Sequence, residues 1–163
     1  MSKAFVALGS NLNGDLDSPA SQVIRAFQAI DNLPKTKLIK TSSLYQSAPL
    51  GYASQPDFTN AVVEISTQFT PEALLDALLN IENEAGRERT FSNAPRVLDL
   101  DLLLYDDLVL HTKKLTLPHP RMHERGFVLL PLAEIAPDLT LPNHGNVVKL
   151  ALAHQNQGIK KLT

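Results

Sequence analysis

An α+β fold with an antiparallel sheet is predicted by three features of the sequence. Two amphipathic helical stretches each open on a hydroxyl residue followed by proline, four short apolar stretches have strand character, and their order along the chain is β-α-β-β-α-β. That order is the ferredoxin-like split unit, in which both helices pack on one face of the sheet.

The elements follow in order. "KAFVALGSN" is a short apolar strand that ends in turn chemistry at Gly9 to Asn11. In "DSPASQVIRAFQAIDNLP", Ser18 caps a helix, Pro19 takes its first position, Val23, Phe27 and Ile30 share a face, and the helix ends before Pro34. "TKLIKTSSLYQS" and "DFTNAVVEISTQF" are rich in β-branched and aromatic residues and read as two strands. The Pro- and Gly-bearing "APLGYASQP" is the long loop between them. "TPEALLDALLNIENEAG" repeats the first helix, with Thr70 as cap, Pro71 behind it, Leu74, Leu78, Ile81 and Ala85 as the stripe, and Gly86 as the stop. "RVLDLDLLLY" is the last core strand. Beyond Leu108 a hairpin in "LVLHTKKLTLP", a short helix in "GFVLLPLAEIAP" and the apolar "VVKLALAHQ" form a C-terminal hairpin/helix extension, read as cover for one end of the sheet.

Composition bounds the function. A chain of 163 residues with 44% apolar and 20% charged residues is one ordinary globular domain, residues 1–163. Fifteen Lys and Arg against seventeen Asp and Glu leave a formal net charge of -2, so no basic field draws in nucleic acid or an anionic membrane. Cysteine is absent, which excludes disulfides and thiolate metal sites. The opening apolar run is too short for a signal peptide, and no stretch approaches a membrane span; a cytoplasmic protein is expected.

The chemistry concentrates in "APRVLDLDLLLYDD". Strand side chains alternate, so Leu98, Leu100, Leu102 and Leu104 should face one side while Asp99 and Asp101 face the other, roughly 6 to 7 Å apart. Such a pair suits a hard divalent cation held by one or two carboxylates plus substrate phosphates. The plainer reading is an amphipathic strand with a wet face. Arg87, Arg89 and Arg96 precede the pair, and Lys113, Lys114, Arg121 and Arg125 follow it, with His119 and His123 among them. These cations either form a salt-bridge network or hold the phosphates of a ligand. "GSNLNG" matches neither glycine-rich nucleotide fingerprint. Phe58 and Asn60 lie two residues apart, on one face of a strand, where a ring and an amide edge can bind a flat heterocycle, or simply pack.

Together, "PRVLDLDLLLY", "LTLPHPRMHERGFVLLPLAEIAPD", "GSNL" and "PLGYASQPDFTNAVVEI" resemble the hydroxymethyl-dihydropterin pyrophosphokinase family of folate biosynthesis, in the family's order from about Phe5 to Asp138. The resemblance implies transfer of pyrophosphate from ATP to the hydroxymethyl group of a reduced pterin, giving AMP and the pterin diphosphate. It implies that Asp99 and Asp101 hold two magnesium ions on the ATP phosphates. It places the pterin on Asn60 between Phe58 and Phe127, with its edge read by the loop at Ala48, Pro49 and Leu50. Arg87 and Arg96 resemble catalytic arginines near the phosphates, His119 and Arg125 phosphate ligands, Thr116 an adenosine contact, and Glu82 a residue facing the ribose. Lys114 stands where some members have arginine, which keeps the charge without the bidentate fork. No tryptophan precedes the "PR" of the motif as in many members; Phe91 is the nearest aromatic, and Pro120 follows His119 where some relatives have an aromatic. A monomer acting on ATP and a pterin, without nucleic acid or membrane, is expected. The alternatives are a non-catalytic ferredoxin-like binding domain and a metal-dependent nucleotidyltransferase or phosphodiesterase.

Overall fold

The computed structural model describes residues 1–12, 16–48, 57–86 and 97–162. Local chemistry sets the helices where the sequence predicts them. The Ser18 hydroxyl oxygen accepts the Ser21 N–H at 3.2 Å, Pro19 takes the first helical position, and α1 runs Pro19–Asp31. Thr70 accepts the Ala73 N–H at 3.2 Å and opens α2 (Pro71–Gly86). Both helices bury their stripes against one face of the sheet, chiefly through Val23 and Ile30 of α1 and Leu74, Leu78 and Ile81 of α2.

That sheet contains β1 (Ser2–Ser10), β2 (Thr36–Thr41), β3 (Tyr45–Ser47), β4 (Phe58–Thr67) and β5 (Asp99–Tyr105). Every pairing is antiparallel: β1 lies between β4 and β5, while β2 and β3 follow one another along the outer side of β4. This is the ferredoxin-like arrangement.

One expected strand is divided in two. Residues 36–47 break at Ser42–Leu44 because Ser42 mimics backbone: its N–H donates to Val62 O at 2.9 Å, and its hydroxyl accepts the Val62 N–H at 2.9 Å while donating to Ser43 O. Thr41 faces Val63 but Tyr45 faces Asn60, so the break inserts one extra residue and shifts the register. Ser42→Ala strands the fully buried Val62 N–H and is expected to cost about 1–3 kcal/mol in urea unfolding. An unchanged midpoint would show that the backbone closes the gap by itself.

A second slip corrects the face assignment of Leu104. Leu98, Leu100 and Leu102 face the helices as alternation requires. Val6 pairs with Leu102 and Phe5 with Leu104, however, so Leu103 is an extra residue on β5. Leu103 and Leu104 are both buried on the Asp99 side of the sheet.

The C-terminal extension does more than close one end. β6 (Leu110–His111) and β7 (Thr116–Leu117) form the expected hairpin, and α3 (Gly126–Ile135) is the expected short helix. A small hairpin of β8 (Thr140–Leu141) and β9 (Gly145–Asn146) leads into α4 (Val147–Ala153), whose first amides donate to the Asn146 side chain. β10 (Ile159–Lys161), which the sequence did not announce, pairs with β3 as the sixth strand. α3 and α4 cover the face opposite α1 and α2 because Phe5, Ala7, Val62, Leu103 and Leu104 make that face apolar too. The ten residues of α3 span roughly 15 Å and the ten of β4 roughly 33 Å, so this cover is partial. Gly9, Asn60 and Asp99 lie on the part left open. Among the described residues no helix is long and apolar enough to cross a membrane.

Candidate active site

The open part of the second face is a cleft of about 240 Å³. Ser47 and Ala48 enter it from the end of β3, Phe58 and Asn60 from the start of β4, Asp99 and Asp101 from β5, and Arg125 and Phe127 from the start of α3. Antiparallel register produces the convergence. Gly9 of β1 lies opposite Asn60 on one side and Asp99 on the other, and directly opposed residues project to the same face. Asn60 and Asp99 thus stand two strand spacings apart, roughly 10 Å, across a residue with no side chain. A Cβ on Gly9 would come 3.3 Å from Asn60 Oδ1 and 3.9 Å from the Phe58 ring, so glycine keeps this floor low.

At the apolar end, Asn60 Nδ2 donates to Ser47 Oγ at 2.7 Å, with both residues buried. That bond fixes the amide's orientation and leaves Oδ1 above Gly9. At the charged end, Asp99 and Asp101 are half-buried between fully packed leucines, as their alternation predicts. Among the described residues no third acidic or histidine side chain joins them to complete a metal site. Two hard oxygen donors on an open face fit a divalent cation that takes its other ligands from phosphates and water. The Arg125 guanidinium lies 5.7 Å from the centre of the Phe127 ring, joining the two ends of the cleft.

His119 is tied to β5 by its N–H, which donates to Leu103 O at 2.9 Å. The Arg121 N–H donates to His119 Nδ1 at 3.2 Å, so the neutral ring carries its proton on Nε2. Burial pushes the imidazole below its ordinary value of 6.5, and Arg125 and Arg121 add to this, against the opposing pull of Asp101.

The remaining sequence-predicted residues lie elsewhere. Thr116 and His119 line a neighbouring groove with His111 and Pro118. Lys114 is paired with Asp76 of α2 at 2.9 Å, which raises its pKa, and does not line the cleft. Glu82 also lies outside the cleft, with Oε2 accepting the Leu100 N–H at 2.6 Å from the edge of β5. Pro49, Leu50, Arg87, Arg96 and Phe91 fall outside the described residues. Sequence reasoning passed over Ser47, since a serine ending a strand carries no signal of its own. It also read Gly9 only as turn chemistry, although a glycine closing an apolar strand marks a close backbone approach.

A ferredoxin-like sheet with a carboxylate pair at one end of a cleft and an oriented amide beside two aromatic rings at the other defines a class. Such a cleft suits a metal-bound polyphosphate at its charged end and a flat heterocycle at its apolar end. Comparison with known proteins narrows the class. Residues 5–137 match the family described as 7,8-dihydro-6-hydroxymethylpterin-pyrophosphokinase (HPPK). The 2-amino-4-hydroxy-6-hydroxymethyldihydropteridine pyrophosphokinase of Haemophilus influenzae is 46% identical over 162 residues, covering 99% of each chain. The Pseudomonas aeruginosa enzyme of the same name is 45% identical over 98% of this chain and 96% of its own. A crystal structure of wild-type Plasmodium falciparum HPPK-DHPS with pteroate shares the fold, with a TM-score of 0.74 at 14% identity over 94% of this chain. This chain spans 44% of that larger one. The chain belongs to the 7,8-dihydro-6-hydroxymethylpterin-pyrophosphokinase family. It is an enzyme that transfers pyrophosphate from ATP to hydroxymethyldihydropterin in folate biosynthesis.

Proposed function

We propose that the pterin lies along the row from Asn60 to Asp99, between Phe58 and Phe127, with its hydroxymethyl group at the carboxylates. The observation that carries this is the register of Asn60, Gly9 and Asp99. The roughly 10 Å across it is the reach of a fused two-ring heterocycle with a one-carbon arm, and the bare glycine lets the ring lie flat. Asn60, held by Ser47, presents its amide to the amino and amide edge of the heterocycle. The backbone at Ala48, Pro49 and Leu50 reads the rest of that edge.

Asp99 and Asp101 would hold two magnesium ions with the ATP phosphates, which when bound neutralise phosphate charge and acidify the acceptor hydroxyl. The hydroxymethyl oxygen bonds to the β-phosphorus of ATP and the bond from that phosphorus to the AMP oxygen breaks, with the hydroxyl proton released to solvent. Arg125 balances charge on the transferred group, and the His119 Nε2–H donates to a phosphate oxygen. Arg87 and Arg96 supply further positive charge. Thr116, Lys114 and Glu82 bound the nucleoside end along the outer edge of β5. The reaction proceeds in one domain, residues 1–163, acting as a cytoplasmic monomer without nucleic acid or membrane.

Product analysis tests the reading. With ATP, magnesium and reduced hydroxymethylpterin, AMP and pterin diphosphate should appear together. Free pyrophosphate with AMP attached to the acceptor would indicate nucleotidyl transfer instead. A further consequence concerns His119. Because its imidazole is held below 6.5, the ligand-free fold loses stability as pH falls below that value. Thermal melts of the ligand-free protein across that range should show the loss, and His119→Gln should reduce it.

A further inference from the structure

Away from the cleft, α3 is bound to the strand edge through one carboxylate. Glu134, in the last turn of α3, receives three donors. Its Oε1 accepts the Tyr45 O–H at 2.7 Å and the Ser43 N–H at 3.0 Å, and its Oε2 accepts the Ser43 hydroxyl at 2.8 Å. Burial pushes this carboxyl up, but the hydrogen bonds from Tyr45 and Ser43 and the charge of Lys161 outweigh it and hold it below its ordinary 4.5. Glu134 is therefore ionised at neutral pH, and each donor faces a charged acceptor.

The two ends of this contact lead to opposite walls of the cleft. Ser43 lies in the break between β2 and β3, and Tyr45 begins the three-residue strand that delivers Ser47 and Ala48 to the site. Tyr45 also pairs with Asn60 across β4. On the other side, Phe127 and Glu134 are seven residues apart on α3, two helical turns, so they share a face roughly 10 Å apart along the axis. The rest of α3 is held chiefly by apolar packing through Val128, Leu129, Leu132 and Ile135. Such packing is non-directional and sets the helix's depth on the sheet more than its rotation or slide. Directional bonds fix those: Glu134 at one end and, at the other, the Gly126 N–H donating to Gln157 at 2.9 Å.

We propose that Glu134 is a positioning residue for the acceptor: by clamping Ser43 and Tyr45 it sets the gap between the Ala48 wall and the Phe127 ring. It thereby governs affinity for the pterin and leaves that for ATP alone. Glu134 is not among the described residues that line the cleft, so it acts through Ser43 and Tyr45. The inference rests on the pterin lying against Phe127, so a Phe127→Ala control accompanies the test.

Dissociation constants for the pterin and for a non-hydrolysable ATP analogue are measured by calorimetry on the full chain, with melting temperatures alongside. Glu134→Ala should weaken pterin binding about tenfold and ATP binding by less than about twofold, with KM for pterin rising more than kcat falls. Glu134→Gln should recover little, because its NH2 must face donors, whereas Glu134→Asp keeps the charge and should recover part. Pterin affinity within about twofold of wild type in Glu134→Ala, or equal losses for both ligands, overturns the proposal. Should Glu134→Ala fail to fold, Tyr45→Phe decides: it removes one hydroxyl from the clamp and should cost pterin affinity about threefold, and no change overturns the proposal. If Phe127→Ala leaves pterin affinity unchanged, the pocket assignment itself is wrong. If Phe127→Ala weakens it while the Glu134 variants do not, the clamp alone is wrong.

Discussion

Asp99→Ala and Asp101→Ala are each expected to lower kcat by about 10³-fold or more, a loss of about 4 kcal/mol of transition-state stabilisation, with melting nearly unchanged. The expectation follows from where the strand spends its polarity. β5 buries Leu100 and Leu102 on one side, beside Leu98 just before it, and Leu103 and Leu104 further along the other, so the fold is carried by its leucines. The two carboxylates are the half-exposed residues facing the cleft. Both carboxylates face the cleft and not the packed core, so removing one leaves the buried leucines in place and should not unfold the protein. Removing a donor from the polyphosphate site should stop turnover. Asp→Asn at either position should behave similarly, since a neutral amide replaces an anionic oxygen of nearly the same shape. Steady-state kinetics against magnesium concentration, with thermal melts of the same preparations, checks both halves. Activity within about tenfold of wild type for either Asp→Ala variant would reduce the pair to the wet face of an amphipathic strand.

Asn60→Ala should weaken pterin binding by about 10²-fold while changing ATP affinity less than about twofold. The asymmetry comes from the site's division along the sheet. Asn60 stands at the Phe58 end, its amide oriented by Ser47 at 2.7 Å, with the carboxylates beyond Gly9. A heterocycle that loses this partner leaves its own buried donors unpaired, which is why hydrogen-bond readout discriminates more strongly than apolar contact. The substitution also leaves the buried Ser47 hydroxyl without its partner, a cost of about 1 kcal/mol in stability. The Ser47→Ala, Asn60→Ala double variant should recover that stability without recovering affinity. Calorimetric titration with each substrate separates the outcomes. Equal losses for pterin and ATP would place the heterocycle elsewhere, and no loss would make the Phe58 and Asn60 pair ordinary packing.

Local signals in the sequence were reliable wherever the governing interaction is itself local. Ser18 and Thr70 each cap the turn three residues ahead, helical period buries Val23, Ile30, Leu74 and Leu78, and strand alternation puts Asp99 and Asp101 on one face. The resemblance carried by the D-L-D motif and its neighbours supplied the chemistry. What the tertiary structure decided depends on pairings far apart in the chain, which leave no trace in any short window. The approach of Asn60 to Asp99 across Gly9 is a matter of register between three strands. The extra residue at Leu103 reversed the face of Leu104, and the Ser42 hydroxyl split a strand by bonding a residue twenty positions away. The second helical layer follows from both faces of the sheet being apolar, but which segment covers which face is settled only when the whole chain is packed. The Glu134 clamp joins residues about ninety positions apart, so its role could be seen only in the folded molecule.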